Sequence, residues 1–374
     1  MQKNLNGLQI LRAIAAMLVV VWHSRLAIKN TTHNYWVEGD AIYRSLHFPA
    51  FVNHLDLGVD IFFCISGFIM CMLIQKMPST IESAVIFLKR RAIRIFPPYW
   101  FFTLLVVLIF FASKGSFNVG QMSGNLIEDC LRISTSILLI PQVEPPVLGV
   151  GWTLVHESMF YVLCGLSIFL KLNRRLPEVM GVMSVAAAIL VYLNIALFYG
   201  YVLSPFYIEF FFGALACALC DRWGQAVKFS TLFIFAGFVC FVVTSYILDT
   251  QTMLNTTSIV RQIGGGLVGF LLITGLIGLD KKYSVAKTVC GLILMRVGDA
   301  SYTLYLVHWF VLSLMGKILI GLAPDAPVYL LAAWHVASML MSIVVAVFLS
   351  EKFEMPFHRW LSFRLSIDKP KVFR

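Results

Sequence analysis

The chain has 374 residues, a formal net charge of +10, 59% hydrophobic residues and only 13% charged ones, with a mean hydropathy of +0.85. A soluble domain is typically about 25% charged, so a water-soluble fold is excluded, and long apolar runs between short polar clusters read as membrane-spanning helices. The basic excess forms no stripe interleaved with aromatics in a polar domain, which argues against a nucleic-acid partner and for Lys- and Arg-enriched cytoplasmic loops.

The pattern predicts an all-α, polytopic bundle of about ten spans: 8–27, 57–76, 94–113, 152–171, 178–199, 203–220, 229–248, 259–279, 300–320 and 328–350. The first holds Arg12, which a signal-peptide core would not normally contain, and no small-residue cleavage site follows; it reads as a retained span. His23 lies eleven residues after Arg12. At about 100° per residue that is three turns plus roughly 20°, so the two share a face about 16 Å apart along the axis. Ionisable groups inside a span are costly and usually face the bundle interior. The competing reading is that both sit near helix ends and snorkel, which suits Arg12 better than His23.

Asp60 opens the second span, in LGVDIFFCISGFIM, at the depth of His23. An Asp60–His23 pair would orient the imidazole and raise its basicity; a plain N-terminal carboxylate favoured by the helix dipole is the alternative. Ser66 and Gly67 suit close helix packing. In FLKRRAIRIFPPYW, Arg91 and Arg94 share a helix face at the expected cytoplasmic boundary, a site for the phosphates of an anionic ligand or an ordinary positive-inside anchor. The stretch ISTSILLIP at 133–141 is too short to span and reads as interfacial or re-entrant.

The fourth span opens with GVGWTLVHESMFYVL, which gathers Trp152, His156, Glu157 and Tyr161 at the expected outer side. Glu157 is a carboxylate in an apolar helix, a second acid or base or a holder of a sugar hydroxyl. Trp152 and Tyr161 can equally be interfacial belt residues. His308 lies in VGDASYTLYLVHWFV among Tyr302, Tyr305 and Trp309, as a ligand contact or a satisfied structural histidine. After the last span, residues 351–374 read as a short cytoplasmic tail with Glu354 and Pro356 at a helix end, so that 1–374 is one membrane domain.

Orientation follows from the cations. With the N-terminus inside, the outer segments hold only Arg25, Lys29, Arg44, Lys114, Arg132, Arg261 and Lys317 of the 29 Lys and Arg residues, which places both termini in the cytoplasm. Cys217 and Cys220 form a C-x-x-C pair, but mid-helix in an apolar run, where a redox or zinc role is weak. No nucleophile elbow, P-loop, dinucleotide fingerprint or HExxH is present, the histidines lack metal-ligand spacing, and no metal is expected.

The ordered set of Arg12–His23, GVDIFF..SGF, Arg91 and Arg94, the PxYW of Pro97–Trp100, WTL..E..FY, ASYTLYLVHW and the terminal E-x-P resembles the membrane acyltransferase-3 family of bacterial O-acyltransferases over nearly the whole chain. The compact members involved in exopolysaccharide or O-antigen acetylation are the most similar. His156, beside the WTL..E glutamate, departs from the pattern and receives no role. The resemblance implies a protein of the bacterial cytoplasmic membrane that moves an acyl group, usually acetyl, from cytosolic acyl-CoA to a hydroxyl of an extracytoplasmic glycan or lipid-linked glycan. It acts alone or with separate polysaccharide-biosynthesis proteins.

On this reading Arg12, Arg91 and Arg94 hold acetyl-CoA. His23 is general base or is transiently acylated, Asp60 or Glu157 orients or charge-balances it, and Trp152, Tyr161 and His308 contact substrate. The acyl arm would run from the arginines toward His23. A transporter or flippase of a lipid-linked glycan or acyl carrier also suits intramembrane charges, though no inverted repeat is visible; a scaffold would leave Arg12 and His23 without purpose.

Overall fold

The computed structural model describes residues 6–32, 50–112, 123, 125–195, 201, 203–220, 228–250, 259–283, 288–323 and 328–365. Most of the first expected loop, 33–49, lies outside these, as do Lys3, Arg44, Lys114, Arg222, Lys287, Lys369, Lys371 and Arg374 of the orientation argument. The described residues form helices α1 (Asn6–Thr32), α2 (Ala50–Asn53), α3 (Leu57–Ile74), α4 (Ile81–Ala112), α5 (Leu126–Ile137), α6 (Trp152–Phe169) and α7 (Leu176–Tyr192). They continue with α8 (Tyr207–Cys220), α9 (Ser230–Thr250), α10 (Ile259–Tyr283), α11 (Val289–Asp299), α12 (Ser301–Leu322), α13 (Val328–Leu349) and α14 (Met355–Arg364), with no strand among them. The chain is an all-α polytopic membrane protein.

Nine segments of the described residues are long and apolar enough to cross a bilayer. The expected span at 203–220 is instead the 14-residue α8, about 21 Å long and short of a hydrocarbon core of about 30 Å. The expected span at 94–113 is longer than anticipated: α4 runs for 32 residues and begins at Ile81. Pro97 and Pro98 lie inside it without ending it. Each removes one intrahelical donor, which neighbouring groups in a bundle can compensate.

The chain divides into two compact units, residues 1–65 with 219–351 and residues 66–218 with 352–374. In the first, α1 packs against α10, α11, α12 and α13. The approach of α3 to α1 is set by Gly58: a Cβ there would stand 2.5 Å from the Ala15 carbonyl oxygen and 3.0 Å from a Val19 methyl. Only glycine allows backbones this close, the small-residue packing common in membrane bundles.

In the second unit, α4 packs along α6, and α14 packs on α4. A π turn at Ser350–Glu354 precedes α14. Pro356 has no N–H to return to Lys352, and the wider turn falls where that bond would be. The stretch expected to be interfacial, 133–141, holds only the last turn of α5, a helix that starts at Leu126 and is capped there by the Asn125 side chain on the Ile127 N–H. Its C-terminal carbonyls, which have no partner within a helix, are met by α4. The Tyr99 hydroxyl donates to the Ser136 carbonyl at 3.0 Å and the Trp100 indole to the Ile137 carbonyl at 2.9 Å. The PxYW block is thus a docking device for α5. Tyr99→Phe is expected to lower stability by about 0.5–1.5 kcal/mol, read as earlier thermal unfolding in detergent, because it removes one of two donors to the Ser136 carbonyl, the Leu139 N–H being the other; an unshifted transition would contradict this.

Candidate active site

The first unit holds His23. Its Nδ1 lies 3.0 Å from the Val19 carbonyl oxygen one turn back. A carbonyl only accepts, so Nδ1 carries the proton and Nε2 presents a lone pair. The ring is half-buried and packs against Trp22 at 4.8 Å, His308 at 4.8 Å and Trp309 at 5.6 Å between centroids. His308 repeats the arrangement: its Nδ1 is 2.9 Å from the Leu304 carbonyl oxygen. The residue is fully buried, and its Nε2 has no hydrogen-bond partner among the described residues. Two imidazoles in the same tautomer therefore meet, each with Nε2 as a base. A satisfied structural histidine was one reading of His308; the bare Nε2 is a polar group buried at a cost, which argues against it.

Asp60 takes a different partner from the one anticipated. Its carboxylate is fully buried and receives the Arg261 guanidinium, Nε on Oδ1 at 3.2 Å and Nη2 on Oδ2 at 2.7 Å. The third nitrogen of the fork, Nη1, bonds Asp56 Oδ2 at 2.7 Å. Arg261 is no loop cation: it sits in the first turn of α10, buried, and one planar group bridges two carboxylates. Gly265, one turn on, makes room, since a Cβ there would lie 2.6 Å from the Asp60 Cβ. Neither Asp56 nor Arg261 stood out in the sequence. The stripe Arg261, Gly265, Gly269 at four-residue spacing is the signal that would have found them.

Arg12 shares α1 with His23. Its Nη1 donates to Gln9 Oε1 at 3.2 Å. Arg12 belongs to the first unit, whereas Arg91 and Arg94 belong to the second.

In the second unit, Arg91 and Glu157, expected at opposite membrane faces, come together. Because α4 begins at Ile81, Arg91 lies ten residues inside the helix, roughly 15 Å from its start, rather than at a boundary. Its guanidinium carbon stands 5.9 Å from the ring centroids of both Phe87 and Tyr161. The Tyr161 hydroxyl donates to Glu157 Oε1, which also accepts from Ser66 Oγ at 3.0 Å. Arg91 Nε and Nη1 are buried and without hydrogen-bond partners among the described residues, two donors available to an anionic group. Arg94 is half-buried one turn along. Tyr161 is buried, which sets aside the interfacial-belt reading for it. Trp152 packs at 5.5 Å on Phe206, and His156 lies 4.5 Å from the Tyr201 ring and 4.7 Å from that of Phe206.

An intramembrane histidine whose Nδ1 is held by the Val19 carbonyl, the ordered blocks around it and an anion-ready arginine fit the acyltransferase domain family, whose pattern matches residues 5–351. The chain belongs to the membrane acyltransferase-3 family. This acyltransferase is similar to the exopolysaccharide production protein ExoZ of Rhizobium meliloti (strain 1021), 32% identical over 292 residues that cover 74% of this chain and 82% of the relative. No solved structure matches it.

Proposed function

We propose that this acyltransferase moves an acetyl group from cytosolic acetyl-CoA to a hydroxyl of an extracytoplasmic glycan, such as exopolysaccharide or O-antigen. It works as a single domain of the bacterial cytoplasmic membrane with both termini inside. The observation that carries the reading is His23, whose Nδ1–H is committed to Val19 and whose Nε2 is left as a base inside the membrane bundle. Family membership and the name of the ExoZ relative support acyl transfer in polysaccharide production. The distribution of cations supports the orientation.

In this mechanism His23 Nε2 takes the proton of the acceptor hydroxyl. The oxygen attacks the thioester carbonyl, the carbon–sulfur bond breaks, and the proton returns to the departing CoA thiolate. The products are the acetyl ester and free CoA. Arg91 offers its buried N–H groups to the anionic donor, assisted by Arg94, while Glu157 and Tyr161 hold the surroundings of that guanidinium. Arg12 is a further donor-binding cation. His308, packed on His23, contacts the substrate, as does Trp152.

The test is purified protein in liposomes with acetyl-CoA labelled in the acetyl group and de-O-acetylated glycan from a deletion strain. Label is expected in the glycan. A transporter or scaffold leaves the glycan unlabelled, and that result would sink the proposal.

A further inference from the structure

The Asp56–Arg261–Asp60 group holds one atom that its own bonds do not satisfy. Asp60 receives two nitrogens of Arg261, and Asp56 Oδ2 receives the third. Asp56 Oδ1 is buried and has no hydrogen-bond partner among the described residues. A carboxylate oxygen kept from water without a donor is costly, and the guanidinium already engages both carboxylates.

Asp56 is also held beside His23. The Trp22 indole, adjacent to His23, donates to the Asn53 carbonyl at 3.2 Å and so fastens the segment that leads into Asp56. Two residues beyond Asp56, Gly58 sits against Val19, whose carbonyl holds His23 Nδ1. The two groups on offer are therefore both acceptors: the lone pair of His23 Nε2 and Asp56 Oδ1. The local charge of two carboxylates and one guanidinium is negative. Such a lining repels phosphates and carboxylates and takes ligands that bring their own O–H donors.

We propose that Asp56 is the acceptor-binding residue of the site. One hydroxyl of the acceptor sugar faces His23 Nε2 and is acylated, while a neighbouring hydroxyl donates to Asp56 Oδ1. Arg261 fixes the carboxylate, and Asp60 balances Arg261. The ligand class is thus a neutral polyol with hydroxyls close enough to engage both atoms. This inference rests on the acyltransfer reading and adds the residue that selects the acceptor.

The experiment compares wild type with Asp56→Asn and Asp56→Glu in liposomes. It measures KM separately for de-O-acetylated glycan and for acetyl-CoA, and direct binding of the glycan by calorimetry. Asp56→Asn keeps an oxygen for Arg261 but loses the charge. The acceptor KM is expected to rise about ten- to a hundredfold, the worth of a hydrogen bond to a charged group, with the acetyl-CoA KM unchanged. A variant that merely folds poorly loses active protein and leaves both KM values at wild type, so the split identifies the role. An unchanged acceptor KM in folded Asp56→Asn overturns the assignment. If wild type transfers nothing, the acyltransfer reading fails; glycan binding that disappears in Asp56→Asn would still uphold the polyol site, and equal binding by both proteins would overturn it.

Discussion

Replacing His23 by alanine is expected to lower transfer of acetyl to glycan by about a hundred- to ten-thousandfold, the range carried by a positioned general base. The protein should still insert and fold. The described hydrogen bond of His23 runs to its own helix, at Val19, and the ring is half-buried, so its removal gives up the ring packing on His308 and Trp309 of α12 and leaves the other contacts of α1 with α10, α11 and α12 in place. His23→Gln separates the base from the bulk: it fills much of the volume and offers an amide that cannot take up the proton. Transfer is measured with labelled acetyl-CoA on protein whose size-exclusion profile matches wild type. Wild-type acetylation by His23→Ala would remove the imidazole from the mechanism.

The largest loss of stability is expected from Arg261→Met. The substitution leaves Asp56 and Asp60 facing each other without their shared cation, Asp60 fully buried. Removing one partner from a buried ion pair typically costs about 3–5 kcal/mol, because the remaining charge cannot return to water. Arg261→Lys should recover part of this, since an ammonium neutralises charge but cannot reach two carboxylates through a planar three-nitrogen fork. Asp60→Asn, which keeps an acceptor for Arg261 and leaves Asp56 charged, should cost less than Arg261→Met. Thermal unfolding followed by tryptophan fluorescence in detergent ranks the three. An unfolding temperature for Arg261→Met equal to wild type would show that the triad contributes nothing to the fold.

The sequence by itself determined the solvent of this protein. A chain so apolar and so poor in charge must satisfy its backbone inside helices that cross a bilayer. Helical periodicity also determined what lies on a single helix: Arg12 and His23 on one face of α1, and Arg91 and Arg94 one turn apart on α4. The order of the blocks pointed to the acyltransferase family, which the comparisons bear out.

Tertiary structure alone decided the partners. Depth suggested Asp60 for His23, yet Asp60 belongs to Arg261, 201 positions away. That choice rests on how near α3 and α10 approach, and the approach rests on Gly265, where the missing Cβ leaves room for the Asp60 side chain. Glu157 and Arg91 likewise sat at opposite faces in a sequence reading that began the third span at residue 94. They meet because α4 starts at Ile81 and continues through two prolines, a length that neighbouring helices decide and proline propensity opposes. Periodicity records angle and depth within one helix. Which side chains finally bond depends on backbone distances between helices, and a residue's own neighbours in the chain carry no record of those.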